Sequence, residues 1–346
     1  MYKKKIIIFF LLISLMAFNE TVFTKSKESW ITIRINWYTN VEDAGLLLRY
    51  SDGTFLKNGI GVKIVPYNEK SNACDSVIEN EVNIGIEDTV LFAKCREKNP
   101  ELVAIAAKFQ INPIAINVID KDLNKLEDLK NKIVSTARGY GVYTDIFKRL
   151  MRFENSDLIV IEHKSGTEGM KWLIEGKTKA SFDFEPNLGV ALRLIGYKPR
   201  VFRSYDFGYD MYGQVYFGKK TYIENNKVLL AKFLKIVEGG WIESFNNPAK
   251  AAKIVVDKFY PANMNYYNIK QKDHLYHQIT ELKLFKPYMV RGVGYKILFM
   301  TDSIWKRNIN TLQGIGYLDK NLNYKDFFTK DILKLVYDAN FIKIKH

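Results

Sequence analysis

The stretch "INWYTNVEDAG" (residues 35–45) places Trp37, Tyr38 and Asn40 where strand-like alternation gives way to helical spacing. Two rings at the tip of a strand have two readings. They line a cleft and stack on a flat ligand, at about 0.5–1.5 kcal/mol per ring pair beyond burial, or they plug the gap between strand and helix. Asn40 either caps the following helix, the favoured role, or reaches a ligand. In "SFDFEPN" (181–187) the alternation sends Asp183 and Glu185 to one side of a strand end, away from Phe182 and Phe184. "IGIEDTV" (84–90) ends another strand on Glu87 and Asp88; Asp88 has the place of an N-cap, and Glu87 is a candidate to face a cleft. "VSTARGYGVYTD" (134–145) sets Ser135, Thr136, Gly139, Tyr140 and Gly141 before a helix. Free N–H groups and the helix dipole there favour an anionic or acceptor group. Tyr140 and Tyr212 are further rings for a flat ligand. If Glu87, Glu185 and Asp183 converge, the ligand must carry donors or positive charge, and a nitrate or sulfonate is repelled.

Metal chemistry has little to draw on. Two cysteines and four scattered histidines make a zinc site unexpected, and the imidazoles of "HLYH" (274–277) fit an exposed helix face. Cys74 and Cys95, each in a helix-like stretch, either pair or remain buried thiols.

These residues need elements to hold them. From Trp30 to Phe217 apolar strands alternate with helices over short connections, the pattern of largely parallel sheets covered on both faces. The unit restarts after "INPIAINVI", which separates a first lobe at about 26–115 from a second at about 116–210. The segment "RVFRSYDFGYDMYGQVYFG" passes back, and 211–346 rejoins the first lobe. In its long helix Leu230, Phe233, Leu234, Val237 and Trp241 form one apolar stripe. Two crossings leave a cleft with a hinge behind it, and ligands in open α/β sheets sit beyond the carboxyl ends of strands.

The chain has 346 residues, 47% hydrophobic and 26% charged, which suits a folded protein with a substantial core. "MYKKK" precedes an apolar run of 13 residues, Ile6–Phe18. A bilayer span needs about 20 residues, so residues 1–25 read as an export signal; an uncleaved anchor, as in a sensor domain, is the alternative. Losing four lysines and one glutamate with that segment lowers the net charge from +14 to +11. The remaining lysines are scattered, which argues for a solvated surface and against nucleic acid.

Four segments then resemble, in order, the family of periplasmic substrate-binding proteins of ABC transporters that includes the thiamine-pyrimidine-precursor binders. They are the run from "NWYTN" through "DGTFLKNGIGVKIV" (36–65), "EGKTKASFDFEPNLG" (175–189), "YGQVYFGKKTYIE" with the long helices after it, and the closing "MTDSIWKRNINTLQG" (300–314). The resemblance implies a two-lobed α/β binding protein of type II, with mostly parallel mixed sheets and a hinge. It implies a protein that closes around a small molecule and passes it to a membrane permease; a monomer without cofactor or metal is expected. It also suggests Glu185 as the acceptor for ring and exocyclic N–H groups of an aminopyrimidine. Riboflavin, an amine, a sulfonate or a nitrate are the alternative solutes. The family includes pyrimidine synthases, which carry a histidine after the Trp and a Cys-rich run. Here Asp43 stands at that histidine's place, Thr39 replaces a proline, and no Cys cluster exists, so a non-catalytic protein is expected.

Overall fold

The computed structural model describes residues 29–68, 71–260, 267, 269–292 and 296–338; the expected export segment lies outside them. Two five-stranded sheets form two lobes. The first contains β1 (Ser29–Arg34), β2 (Ile60–Val65), β3 (Ile84–Asp88) and β4 (Leu102–Ala107). The second contains β5 (Ile114–Val118), β6 (Lys132–Ala137), β7 (Leu158–His163), β8 (Ala180–Phe184) and β9 (Arg200–Arg203). The chain then returns as β10 (Gln214–Lys219) to the first sheet, whose order is β2-β1-β3-β10-β4; the second runs β7-β6-β8-β5-β9.

Each sheet therefore contains one strand that has just crossed from the other lobe, and that strand runs antiparallel to its neighbours. β10 pairs antiparallel with β3 and β4, and β5 does so with β8 and β9. The other pairings, β1 with β2 and β3 and β6 with β7 and β8, are parallel. The reason is geometric. Parallel strands run toward the cleft and end there, whereas a crossing strand enters its sheet from the cleft. The cleft is thus bordered by the ends of β1, β3, β6, β7 and β8 and by the beginnings of β5 and β10.

The crossings lie side by side. Lys108 N donates to Gln214 O at 2.7 Å, Asn112 N to Met211 O at 2.8 Å, and Ser204 Oγ to Asn112 O at 2.7 Å. Gln110 N and Ile111 N both donate to Tyr288 O, at 2.8 and 3.0 Å, so a C-terminal helix reinforces the hinge.

Helices cover the sheets. The site depends on α1 (Ala44–Ser51), which follows the tight turn Val41–Asp43, and on the long α2 (Lys227–Asn246) packed against it. The expected stripe Leu230, Phe233, Leu234, Val237 and Trp241 is wholly buried. Gly45 and Gly240 let the two backbones meet: a Cβ on Gly240 would lie 2.0 Å from Gly45 O. That close approach fixes the turn carrying Glu42 and Asp43. The helix α3 (His274–Met289) packs on the same turn and on the second lobe's turn Glu185–Gly189, so it straps the lobes together. Its His277 is 1% exposed, contrary to the exposed face expected for that helix, because the strap buries it between the lobes.

Cys74 and Cys95 form a disulfide joining the helices on either side of β3. Among the described residues no helix is long and apolar enough to cross a membrane.

Candidate functional site

A cavity opens between the lobes, with about 530 Å³ of empty space out to its mouth. Asn36, Trp37, Glu42 and Gln214 line it from the first lobe. Ile114, Ala137, Tyr140, His163, Phe182, Asp183, Phe184 and Asn187 are among those lining it from the second. Most of them sit near a strand end or at the start of a crossing strand; Glu42 and Asn187 belong to the turns Val41–Asp43 and Glu185–Gly189, and Phe182 lies within β8.

Of the four rings expected to meet a flat ligand, Trp37 and Tyr140 line the cavity, one from each lobe. Trp37, half-buried, lies edge-on to Tyr38, with centroids 5.5 Å apart, and against Tyr67 at 5.4 Å. Tyr38 belongs to this aromatic cluster but is not part of the cavity wall. Tyr140 stacks on Tyr143 with ring planes 6° apart, and burial pushes its hydroxyl well above the usual phenol range, as do Glu87, Asp88 and Glu42 nearby.

Asn40 is a cap: its Oδ1 accepts from Glu42 N at 2.6 Å. Glu42 and Asp43, in the turn that follows, hold a buried lysine. Lys108 Nζ is 2.6 Å from Asp43 Oδ1 and 3.5 Å from Glu42 Oε1. Gln214 Nε2 also donates to Glu42 Oε1. Burial raises the Glu42 pKa, and Lys108 opposes that rise. Glu87 stands behind Asn36, from whose side chain it accepts a hydrogen bond, and is outside the cavity wall. Burial pushes its pKa up to about 8.

The structure corrects several expectations. Glu185 does not share a strand face with Asp183, because β8 ends at Phe184 and Glu185 opens a wide helical turn. Arg203 grips it through Nε at 2.6 Å and Nη2 at 2.9 Å, and Tyr288 donates its hydroxyl to it. A carboxylate so occupied has little left to offer a ligand. Asp183 faces the cavity instead, accepting from Tyr267 Oη at 2.8 Å and from Phe184 N at 2.7 Å. Burial raises its pKa to about 7.

Tyr212 is buried in the first lobe against Trp305, with its hydroxyl accepting from Thr301 N at 2.8 Å, and does not reach the cleft. Ser135 and Thr136 are fully buried within β6. Of the glycine-bracketed turn, Tyr140 lines the cavity; Gly139 supplies a left-handed bend, φ +83°, and Gly141 precedes the helix Val142–Met151.

Asn36, Glu42, His163, Asn187 and Gln214 line the cavity without having been singled out by sequence. Asn36 adjoins Trp37, and Gln214 opens the returning strand, so a rule covering the starts of crossing strands finds it. His163 ends β7, and burial lowers its pKa.

The model of the NMT1/THI5-like family matches residues 40–251. No curated protein matches the chain in sequence. Among solved structures, the periplasmic aliphatic sulphonate binding protein SsuA from Escherichia coli superposes with a TM-score of 0.67 at 12% identity, over 87% of this chain and 92% of that one. The ligand-binding component of an ABC-type import system from Staphylococcus aureus, solved with zinc bound, gives 0.64 at 13% identity, over 88% and 98%. The periplasmic nitrate-binding protein NrtA from Synechocystis PCC 6803 gives 0.63 at 10% identity, over 90% and 89%. All three share the two-lobed fold.

Proposed function

The chain belongs to the NMT1/THI5-like family, and from that premise we propose that it is a non-catalytic solute-binding protein serving an ABC importer. It captures a flat nitrogen heterocycle of the thiamine-pyrimidine-precursor kind between its lobes and delivers it to a membrane permease as a monomer. Its lobes are assigned to about 26–115 with 211–346, and to about 116–210. Residues 1–25 carry it out of the cytoplasm.

One observation carries this reading: Trp37 and Tyr140, from opposite lobes, line a single cavity. Closing the lobes brings both rings to a ligand, and such a site needs only a few well-placed polar groups for orientation. Sulfonate and nitrate, after which two structural neighbours are named, meet two carboxyl groups in this cavity, Glu42 and Asp183, and fit less well once pH exceeds about 7 and Asp183 ionises. The synthase alternative is disfavoured by Asp43, which stands where the catalytic histidine is expected and is held on Lys108.

The test is a thermal-shift screen of the purified protein against aminopyrimidines, flavins, amines, sulfonates and nitrate. A true ligand at about 100 times its Kd stabilises the fold by roughly 2.7 kcal/mol. Absence of a shift across the panel rejects solute capture, and turnover of pyridoxal phosphate with iron into a pyrimidine rejects the non-catalytic assignment.

A further inference from the structure

The disulfide Cys74–Cys95 spans 21 positions, and the loop it closes contains the whole of β3 with the two acids at its end, Glu87 and Asp88. Each cysteine sits in a helix that one of those acids touches. Glu87 accepts from Asp88 N at 2.9 Å and from Ala73 N, which opens the helix Ala73–Ile78 one residue before Cys74. Asp88 caps the helix Thr89–Lys98, which carries Cys95, by accepting from Val90 N at 2.9 Å. Both acids then act at the cleft. Glu87 holds the side chain of Asn36 in the cavity wall, and Asp88 holds Tyr143 of the second lobe.

The two helices differ in what keeps them in place. Thr89–Lys98 has 10 residues and packs Phe92 against Phe217 of β10, with ring centroids 5.1 Å apart. Ala73–Ile78 has 6, too few to persist as a helix by itself. It lies close on β3, where a Cβ on Gly85 would be 3.3 Å from Ala73 Cβ. A cross-link restricts the loop that it closes. Here it ties the short helix to the long one across the strand that presents both acids.

We propose that Cys74 and Cys95 are positioning residues for the cleft: their bond fixes the helix start on which Glu87 rests and the cap that Asp88 makes, and so keeps Asn36 in the cavity wall and Tyr143 joined to the first lobe. The inference goes beyond solute capture, and its test needs no ligand, so the failure of one leaves the other to be judged separately.

The experiment compares the free mature protein with Cys74→Ala/Cys95→Ala, with Tyr143→Phe and with the triple variant. The wild type is also cleaved in place by dithiothreitol, which gives one electron and one proton to each cysteine sulfur and closes to its own cyclic disulfide. Without the bond, the amides of Asp88 and Val90 should exchange hydrogen at least about tenfold faster, while those of β6 and β8 in the second sheet keep their rates. The radius of gyration should rise in the double cysteine variant as in Tyr143→Phe. The triple variant should show no further rise, because both changes release the same contact. Unchanged exchange at Asp88 and Val90, or an unchanged radius in the double cysteine variant, overturns the inference. So does a triple variant whose radius rises by the sum of the two separate increments. Equal acceleration across both sheets, or loss of the folded spectrum after substitution and after cleavage alike, means that the bond serves the fold as a whole, and overturns it too.

Discussion

Tyr143, in the second lobe, donates its hydroxyl to Asp88 Oδ2 at the end of β3 in the first, and its oxygen accepts from Asn112 Nδ2 in the hinge at 2.9 Å. One phenol thereby connects both lobes and the crossing between them. Hydrogen bonds to charged groups contribute about 1.5–3 kcal/mol. Tyr143→Phe should favour the open form and weaken ligand binding by roughly tenfold or more, while the ring still fills its place beside Tyr140 and Tyr209. Small-angle scattering of the free variant should show a larger radius of gyration; an unchanged radius together with unchanged affinity would remove the latch.

Trp37 makes ring contacts with Tyr38 and Tyr67 and is half-buried. Trp37→Ala should abolish the ligand-induced thermal shift and leave the circular dichroism spectrum of the free protein unaltered. If the free variant instead melts far lower and keeps its ligand affinity, the indole is a plug.

Lys108 is wholly buried between Asp43 and Glu42. Lys108→Met strands two carboxylates away from water. Breaking a buried pair by removing one partner costs about 3–5 kcal/mol, and denaturant unfolding should show a loss of that order. Adding Asp43→Leu should restore part of it; no recovery would mean that the lysine acts through its packing.

The acids near the cleft set a pH dependence. Burial lifts Glu87 to about 8 and Asp88 and Asp183 to about 7. A raised carboxyl binds its proton more tightly folded than unfolded, so its contribution is complete below the ordinary carboxylate range and is lost as pH rises through 7 to 8. His277, lowered to about 4 by burial, acts oppositely and costs stability as pH falls below its ordinary value of 6.5. Three raised carboxyls outweigh one lowered imidazole, so stability should fall as pH rises from just above the ordinary carboxylate range to about 8, with a melting temperature at pH ~5 several degrees above that at pH ~8.5. Asp88→Asn should flatten the alkaline limb, and a melting temperature that rises with pH above about 7 would contradict the assignment.

The strand–helix alternation, the return of the chain to the first sheet and the buried stripe on α2 were legible because burial repeats with the period of each element. Trp37 and Tyr140 were legible because they stand where a strand or a glycine-marked turn meets a helix. Glu185 was not. Alternation places it beside Asp183, but Pro186 follows and the chain turns into a helix one residue early, handing Glu185 to Arg203, a partner 18 positions away. Tyr212 looked available near a crossover, yet which side of a crossing strand faces the core depends on a neighbour, Trp305, far along the chain. Glu42, Gln214 and Lys108 form a network across three separate segments, and sequence spacing carries no mark of it.

The insertion of β10 between β3 and β4 has a consequence for biogenesis. Strands β5 to β9 are contiguous, so the distal sheet can pair as soon as it emerges, although Tyr267 and Ile269 complete its core later. The proximal sheet cannot, because Val215 must arrive to join Glu87 on one side and Ala107 on the other. Until then two neighbouring strand edges stand apart with unsatisfied backbone groups, a template for mispairing. The order of synthesis thus makes the sheet that begins first the one that finishes last, and it leaves the nascent chain in need of shelter throughout that interval.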